Sequence, residues 1–489
     1  MTAPRLWRAM LLVALVGWGA AAVGIGVRAS YGGQVTGDEP HYLLTAITLW
    51  EDRDLDVSDE ISARRYHSFH EVALDPQSRA LEGGRKVSPH DPLLPLLLAA
   101  PTAAGGWVGA KLALGAAGGA LAALTLWTAV VRFNAPLTSA TLAVALFAAS
   151  APLAVYGNQV YPEVPAALVA TAGLAVLTAP PGRWALGVLG ASVVALPWLS
   201  VKYAPVAAAL AALALVGLWR GGRRGPALAV AGLLAVAGAI FLAAHQAWYG
   251  GWTPYAVGDH FVTGELGVVG FDPNLPGRAQ RIAGLVVDRT FGLGVWQPAW
   301  FLAVPALAAA ARLRPRGWHL LVVVLAAGWL NATFVALTMH GWWFPGRQVV
   351  VVLPAAVIVV AWWAGRSAAR RRALVALGAL GVLAYAWLVV DGLAGRLTWA
   401  VDFFATSNPM FGAFGAVLPD HMNVTGATWL LQGMWVTILG ALAVWGWRSA
   451  ALDAAGASST LEDRLPMEHP EERRHDDRSP EALPAPDAR

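Results

Sequence analysis

The 489-residue chain contains no cysteine, which excludes disulfides, thiolate metal sites and cysteine nucleophiles. Charge is scarce too. Asp, Glu, Lys and Arg make up 13% of the chain, where a soluble globular protein carries roughly 25%. A net charge of only +4 does not suggest a nucleic-acid partner, even though the isoelectric point is about 9.5. What the chain has in quantity is apolar: 57% hydrophobic residues and 24 Trp, with a mean hydropathy of +0.55. The apolar runs are continuous and near twenty residues long. A β-barrel would instead need segments of about ten residues alternating in polarity. The composition predicts an all-α polytopic membrane protein.

Twelve runs reach spanning length by this reading, with outer-face loops and interfacial helices between them. They lie near residues 6–27, 107–131, 136–155, 160–177, 184–199, 201–218, 226–247, 293–311, 318–339, 349–363, 374–390 and 427–447. The first is longer than the h-region of a signal peptide and is expected to remain as an anchor. Gly115 and Gly119, four apart, suit close helix packing. Leu93 to Pro101 is apolar but short and proline-rich, so it is expected at the interface. Lys and Arg concentrate in cytoplasmic loops. Threading twelve spans puts Arg132, Arg183, Arg220, Arg223, Arg224, Arg312, Arg314, Arg316, Arg366, Arg370 to Arg372 and Arg448 on the side of Arg5 and Arg8. Both termini are then cytoplasmic in a cell-membrane protein. Residues 1–450 form the membrane module, and the polar stretch 451–489 reads as a disordered cytoplasmic tail.

The same threading sends residues 29–91, 248–290 and 391–425 outward, and most of the chemically interesting groups with them. Thr36-Gly37-Asp38-Glu39-Pro40-His41 places two acids and a histidine where the first span meets water. Helix capping explains one acid but not the set. Glu163 starts a span, where a helix dipole favours an acid. Lys202 sits at a turn on the outer side, against the usual basic-loop bias, although a lysine there could simply snorkel. Arg347, ending Gly341-Trp342-Trp343-Phe344-Pro345-Gly346, opens an apolar helix, and its planar fork suits phosphate. Trp342 and Trp343 read as interface anchors. The acid run Glu51 to Glu60 reads as a solvated face. Acids and cations at one membrane level suit a reaction whose leaving group is an anion carried by a lipid. A departing phosphate needs charge compensation and no proton, so one carboxylate suffices as base.

These residues resemble the GT-C superfamily of multi-spanning glycosyltransferases that use polyprenyl-phosphate sugars, a superfamily that includes protein O-mannosyltransferases and the lipid A aminoarabinose transferase. Gly37-Asp38-Glu39 matches its acidic signature in the first outer loop. Pro89-His90-Asp91-Pro92-Leu93 is similar to its proline-rich donor loop, with His90 where some members carry lysine. Tyr161-Pro162-Glu163 resembles its second acidic motif, and Arg347 its phosphate-compensating arginine. Asp288-Arg289-Thr290-Phe291-Gly292-Leu293 resembles a recurring pre-helix motif without an assigned role. The resemblance implies an inverting transfer of a hexose or pentose to a hydroxyl of a protein, lipid or polysaccharide. In it Asp38, with Glu39, is catalytic, while His90, Lys202 and Arg347 hold the donor phosphate. Glu163 and His41 would position the acceptor or a divalent ion, for which oxygen ligands suit magnesium or manganese. Two other readings are open: a carrier or flippase of a lipid-linked sugar, and an assembly subunit without catalysis. A carrier tends to place ionisable residues near the bilayer midplane and to show an internal repeat, and no repeat stands out.

Overall fold

The structure is a computed structural model that describes residues 3–259 and 273–462, with side chains as far as residue 453. Among the described residues the regular structure is helical, with only isolated β-bridges such as Gly33 to His70 and Asp56 to Val87. Among the described residues, seven helices are long and apolar enough to cross a membrane. Five apolar helical segments of 10–17 residues accompany them. Each of the twelve expected runs falls on one of these elements. The chain is a multi-pass membrane protein.

The first helix, α1, covers Ala3–Val23. The polar segment after it holds α2, Glu39–Glu51, and a short α3, Ser58–Ser62. Next comes α4, Leu93–Trp127, whose backbone leaves the helical region at Gly105 and Gly106. That break separates the short proline-rich piece from a span beginning at Trp107, where the sequence places the division. Glycine fixes the packing of α1 on α4: a Cβ on Gly119 would stand 2.7 Å from the Ala14 carbonyl oxygen. Only the absent side chains let the two backbones approach so closely.

Burial sorts the helices by solvent. All but one residue of Leu353–Ala364 is buried, as befits a helix apolar on every face. The helices Arg224–Tyr249 and Gly426–Glu462 instead expose Leu228, Leu233, Val236, Leu430 and Val444. Such contiguous apolar surface is suited to lipid. The last helix continues beyond the expected boundary at 450, and the rest of the expected tail, 463–489, lies outside the described residues. Part of the expected outer loop 248–290, residues 260–272, lies outside them too.

Candidate active site

Five helix starts converge at one end of this bundle. Gly37 occupies a left-handed turn, φ 61°, immediately before α2. A Cβ there would also press to 3.0 Å from the Tyr161 hydroxyl, so glycine is the residue this turn accepts without strain. Asp38 follows at the N-cap position, yet its side chain makes no capping bond. Its Oδ2 accepts instead from Arg347 Nη2 at 2.5 Å. The capping explanation for Asp38 is therefore set aside: the helix is opened by Pro40 in its first turn, and the carboxylate faces across the molecule.

Arg347 is aimed by a second left-handed glycine, Gly346, at φ 87°. The guanidinium bridges two acids, its Nε donating to Glu163 Oε1 at 3.1 Å. The same oxygen accepts from Lys202 Nζ at 2.6 Å. Asp38, Arg347, Glu163 and Lys202 thus form an alternating chain of formal charge zero. Glu163 is fully buried beneath it, where an unpaired carboxylate would cost several kcal/mol, on the order of the penalty for a lone buried ion. The aromatic ring of Tyr161 lies 4.1 Å from the guanidinium and that of Trp343 5.1 Å. Trp343 is consequently part of this site and not only an interface anchor; Trp342, 68% exposed, stays at the surface.

A cavity of about 460 Å³ opens onto these groups, and Asp38, His90, Lys202, Trp343 and Arg347 all line it. His90 brings Nε2 to 4.0 Å from Asp38 Oδ1 and stacks on Tyr42. The loop carrying His90 is anchored by its neighbour Asp91, which is buried and accepts from Val201 N at 2.8 Å and from His245 Nε2 at 3.0 Å. His245 also places Nδ1 2.8 Å from the Phe241 carbonyl. Tyr249 completes the anchorage by donating to the His90 carbonyl at 3.0 Å.

Burial alone would push Asp38 up, but Arg347 and His90 opposite hold its carboxyl well below the usual carboxylate range. Glu39 behaves oppositely. Fully buried, it is pushed up to about 7 by desolvation, against the charge of Lys111. Its Oε2 accepts from Val160 N at 2.7 Å and Oε1 from Thr36 N at 3.4 Å. Glu39 ties α2 to the segment leading into Glu163 and is not among the residues lining the cavity. His41 is also buried outside that lining, and burial pushes its imidazole down to about 3. Lys202 and Arg347 both take Glu163 Oε1, while its Oε2 is buried without a hydrogen-bond partner among the described residues. Among the described residues, the one trio of acids and histidines with ligand atoms mutually within 4.8 Å is Asp52, Asp59 and Glu60, elsewhere on the first loop.

Four contributors escape a reading by motif: Lys111, Tyr161 as a ring against the arginine, Trp343, and the Asp91–His245 pair. Lys111 is fully buried in α4 and donates to the Gln34 carbonyl at 2.9 Å, bracing the segment before Asp38. A lone lysine in an apolar span was the available signal. The unassigned Asp288 motif proves to be a staple. Asp288 Oδ1 accepts from Thr290 N and Phe291 N, and Oδ2 from His421 N and the His421 ring, joining two loops away from the cavity lining.

No family model matches the chain, and no curated protein does. Among solved structures, the chain is similar to ArnT from Cupriavidus metallidurans. With the form bound to undecaprenyl phosphate it shares 15% identity at a TM-score of 0.43, covering 96% of this chain and 82% of that one. With the apo form it shares 16% identity at a TM-score of 0.46, covering 91% and 78%.

Proposed function

We propose that the chain is a GT-C-type inverting glycosyltransferase that moves a sugar from a polyprenyl-phosphate donor to a hydroxyl acceptor at the outer face of the cell membrane, with both termini cytoplasmic. The observation that carries this reading is the contact between Asp38 and Arg347 on the wall of a cavity that Lys202 and His90 also line. A carboxylate paired with a guanidinium is a poor base, because the cation stabilises its ionised form. A donor phosphate entering the cavity competes for Arg347. When the guanidinium turns to the phosphate, Asp38 loses its counter-ion and becomes a stronger base beside the acceptor.

The reaction then balances simply. The acceptor O–H gives its proton to Asp38, the oxygen attacks the anomeric carbon, and the bond from that carbon to the phosphate oxygen breaks. Its electron pair leaves with the polyprenyl phosphate, whose added charge Arg347, Lys202 and a protonated His90 offset. Glu163 keeps the two cations side by side before the anion arrives, and Glu39 fixes the start of α2. No step is routed through a metal ion.

Undecaprenyl phosphate offered to the detergent-solubilised protein tests the assignment. Arg347→Ala should weaken binding by about tenfold to a hundredfold, the worth of a charge-assisted hydrogen bond. Asp38→Asn should bind at least as tightly as wild type. Equal binding by wild type and Arg347→Ala would remove the phosphate role.

A further inference from the structure

A second and larger cavity, of about 820 Å³, lies where Arg132, Arg220 and Arg316 converge. The three arginines come from distant parts of the chain. Arg132 ends the helical stretch Leu93–Arg132, Arg220 ends Val201–Arg220, and Arg316 stands just before the helix Trp318–Leu330. One of these helices, Val201–Arg220, begins at the first cavity with Lys202, and the span from Trp107 to Arg132 carries near its start Lys111, which holds the segment before Asp38. The helix that starts at Glu163 likewise ends at Leu177, on the wall of the arginine cavity. The two cavities therefore occupy opposite ends of the same helices.

No carboxylate lines this second cavity. None of the three arginines has an acidic partner among the described residues, although Arg366 and Arg370 at another helix end share Asp453. The helix ends contribute some compensation: each C-terminus carries about half a negative charge. Three such ends amount to roughly one and a half charges against three whole positive ones. The Nε of Arg132 is buried without a hydrogen-bond acceptor among the described residues. The opposite wall is apolar, formed by Leu177, Leu213 and Val216. An anion alone would satisfy the arginines and leave that wall wet. A molecule with a phosphate at one end and acyl chains at the other matches both halves.

We infer that this cavity is a binding site for an anionic glycerophospholipid, its phosphate held by Arg132, Arg220 and Arg316 and its chains laid against Leu213 and Val216. Basic pockets between helix ends recognise lipid head groups by this combination of charge and apolar wall. The site stands apart from the proposed transfer reaction and does not depend on it. Its ligand would knit the loops after Arg132, Leu177 and Arg220 to the loop at Arg316.

The full chain in detergent micelles, titrated with phosphatidylglycerol, phosphatidylcholine or inorganic phosphate and followed by lipid retention in native mass spectrometry, tests this. Phosphatidylglycerol should bind at least tenfold more tightly than phosphatidylcholine. In the double variant Arg132→Gln/Arg316→Gln that preference should vanish while overall fold, read by circular dichroism, persists. If the double variant unfolds, Arg220→Gln at an exposed position should still cut the preference at least threefold. The inference is overturned if wild type shows no preference, if the preference survives in the variants, or if inorganic phosphate at lipid-equivalent concentration displaces phosphatidylglycerol, since the last result would make the chains irrelevant.

Discussion

In the proposed reaction Asp38 and Arg347 divide the chemistry between them, and substitutions separate their parts. Asp38→Asn keeps an acceptor for Arg347 Nη2, so folding should survive at a cost of about 1 kcal/mol, while loss of the base should lower turnover by about a hundredfold to ten-thousandfold. Arg347→Lys keeps the charge but not the fork that reaches Asp38 and Glu163 at once. It should lose at least tenfold in donor affinity, measured by titration with undecaprenyl phosphate. Glu39 supplies a stability signature. Its folded value of about 7 exceeds that of an unfolded glutamate, about 4.3. Between the two, the unfolded chain has released a proton that the folded chain keeps, so this group's contribution to stability falls as pH rises through that window and levels off above it. Glu39→Gln removes the effect, so its melting temperature relative to wild type should climb between about pH 5 and about pH 8. A difference independent of pH would show that Glu39 is not a buried acid of this kind.

At the scale of elements, two turns set the site: the one ending at Gly37 before α2, and the one through Gly346 and Arg347 that precedes the helical stretch starting at Val350. Gly37→Ala meets both a left-handed backbone and the Tyr161 hydroxyl. It should destabilise the protein by about 1–2 kcal/mol and reduce turnover by shifting Asp38 from Arg347, as thermal unfolding and an activity assay would show together. The sequence made these turns visible because glycine and proline punctuate the apolar runs. It showed Asp38, His90, Lys202 and Arg347 as outliers for the same reason: a charge at the end of an apolar span demands an explanation. Which charge meets which was beyond its reach. Asp38 and Arg347 are separated by 309 positions, and no local rule pairs them. The capping alternative for Asp38 and the anchor reading of Trp343 both judged a residue by its own helix end, whereas the side chain facing it, Arg347 in each case, shows its place in the site. The Asp91–His245 pair stayed hidden because a histidine within an apolar helix carries no local mark of its partner.

For the molecule as a whole, the absence of cysteine makes orientation directly measurable, since every introduced thiol reports alone. A cysteine at Gln77, which lines the cavity with Asp38 and Arg347, should react with a membrane-impermeant maleimide added to intact cells. One at Gly222, next to the basic loop, should react only after the membrane is opened. The reverse pattern would place the site on the cytoplasmic side. The helix pattern was the most legible feature, because the solvent that surrounds a span is written into its composition. Span count is less so: five apolar segments have only 10–17 residues. The site also bears on the carrier reading, for the cavity-lining charges cluster at helix starts and Lys111, the buried lysine within a span, is engaged by a backbone carbonyl. The decisive measurement is release of free polyprenyl phosphate from a labelled polyprenyl-phosphate sugar in native membranes containing either wild type or Asp38→Asn. Release by wild type, with loss in the variant despite undiminished donor binding, is the expected result. Equal release from both would contradict the account.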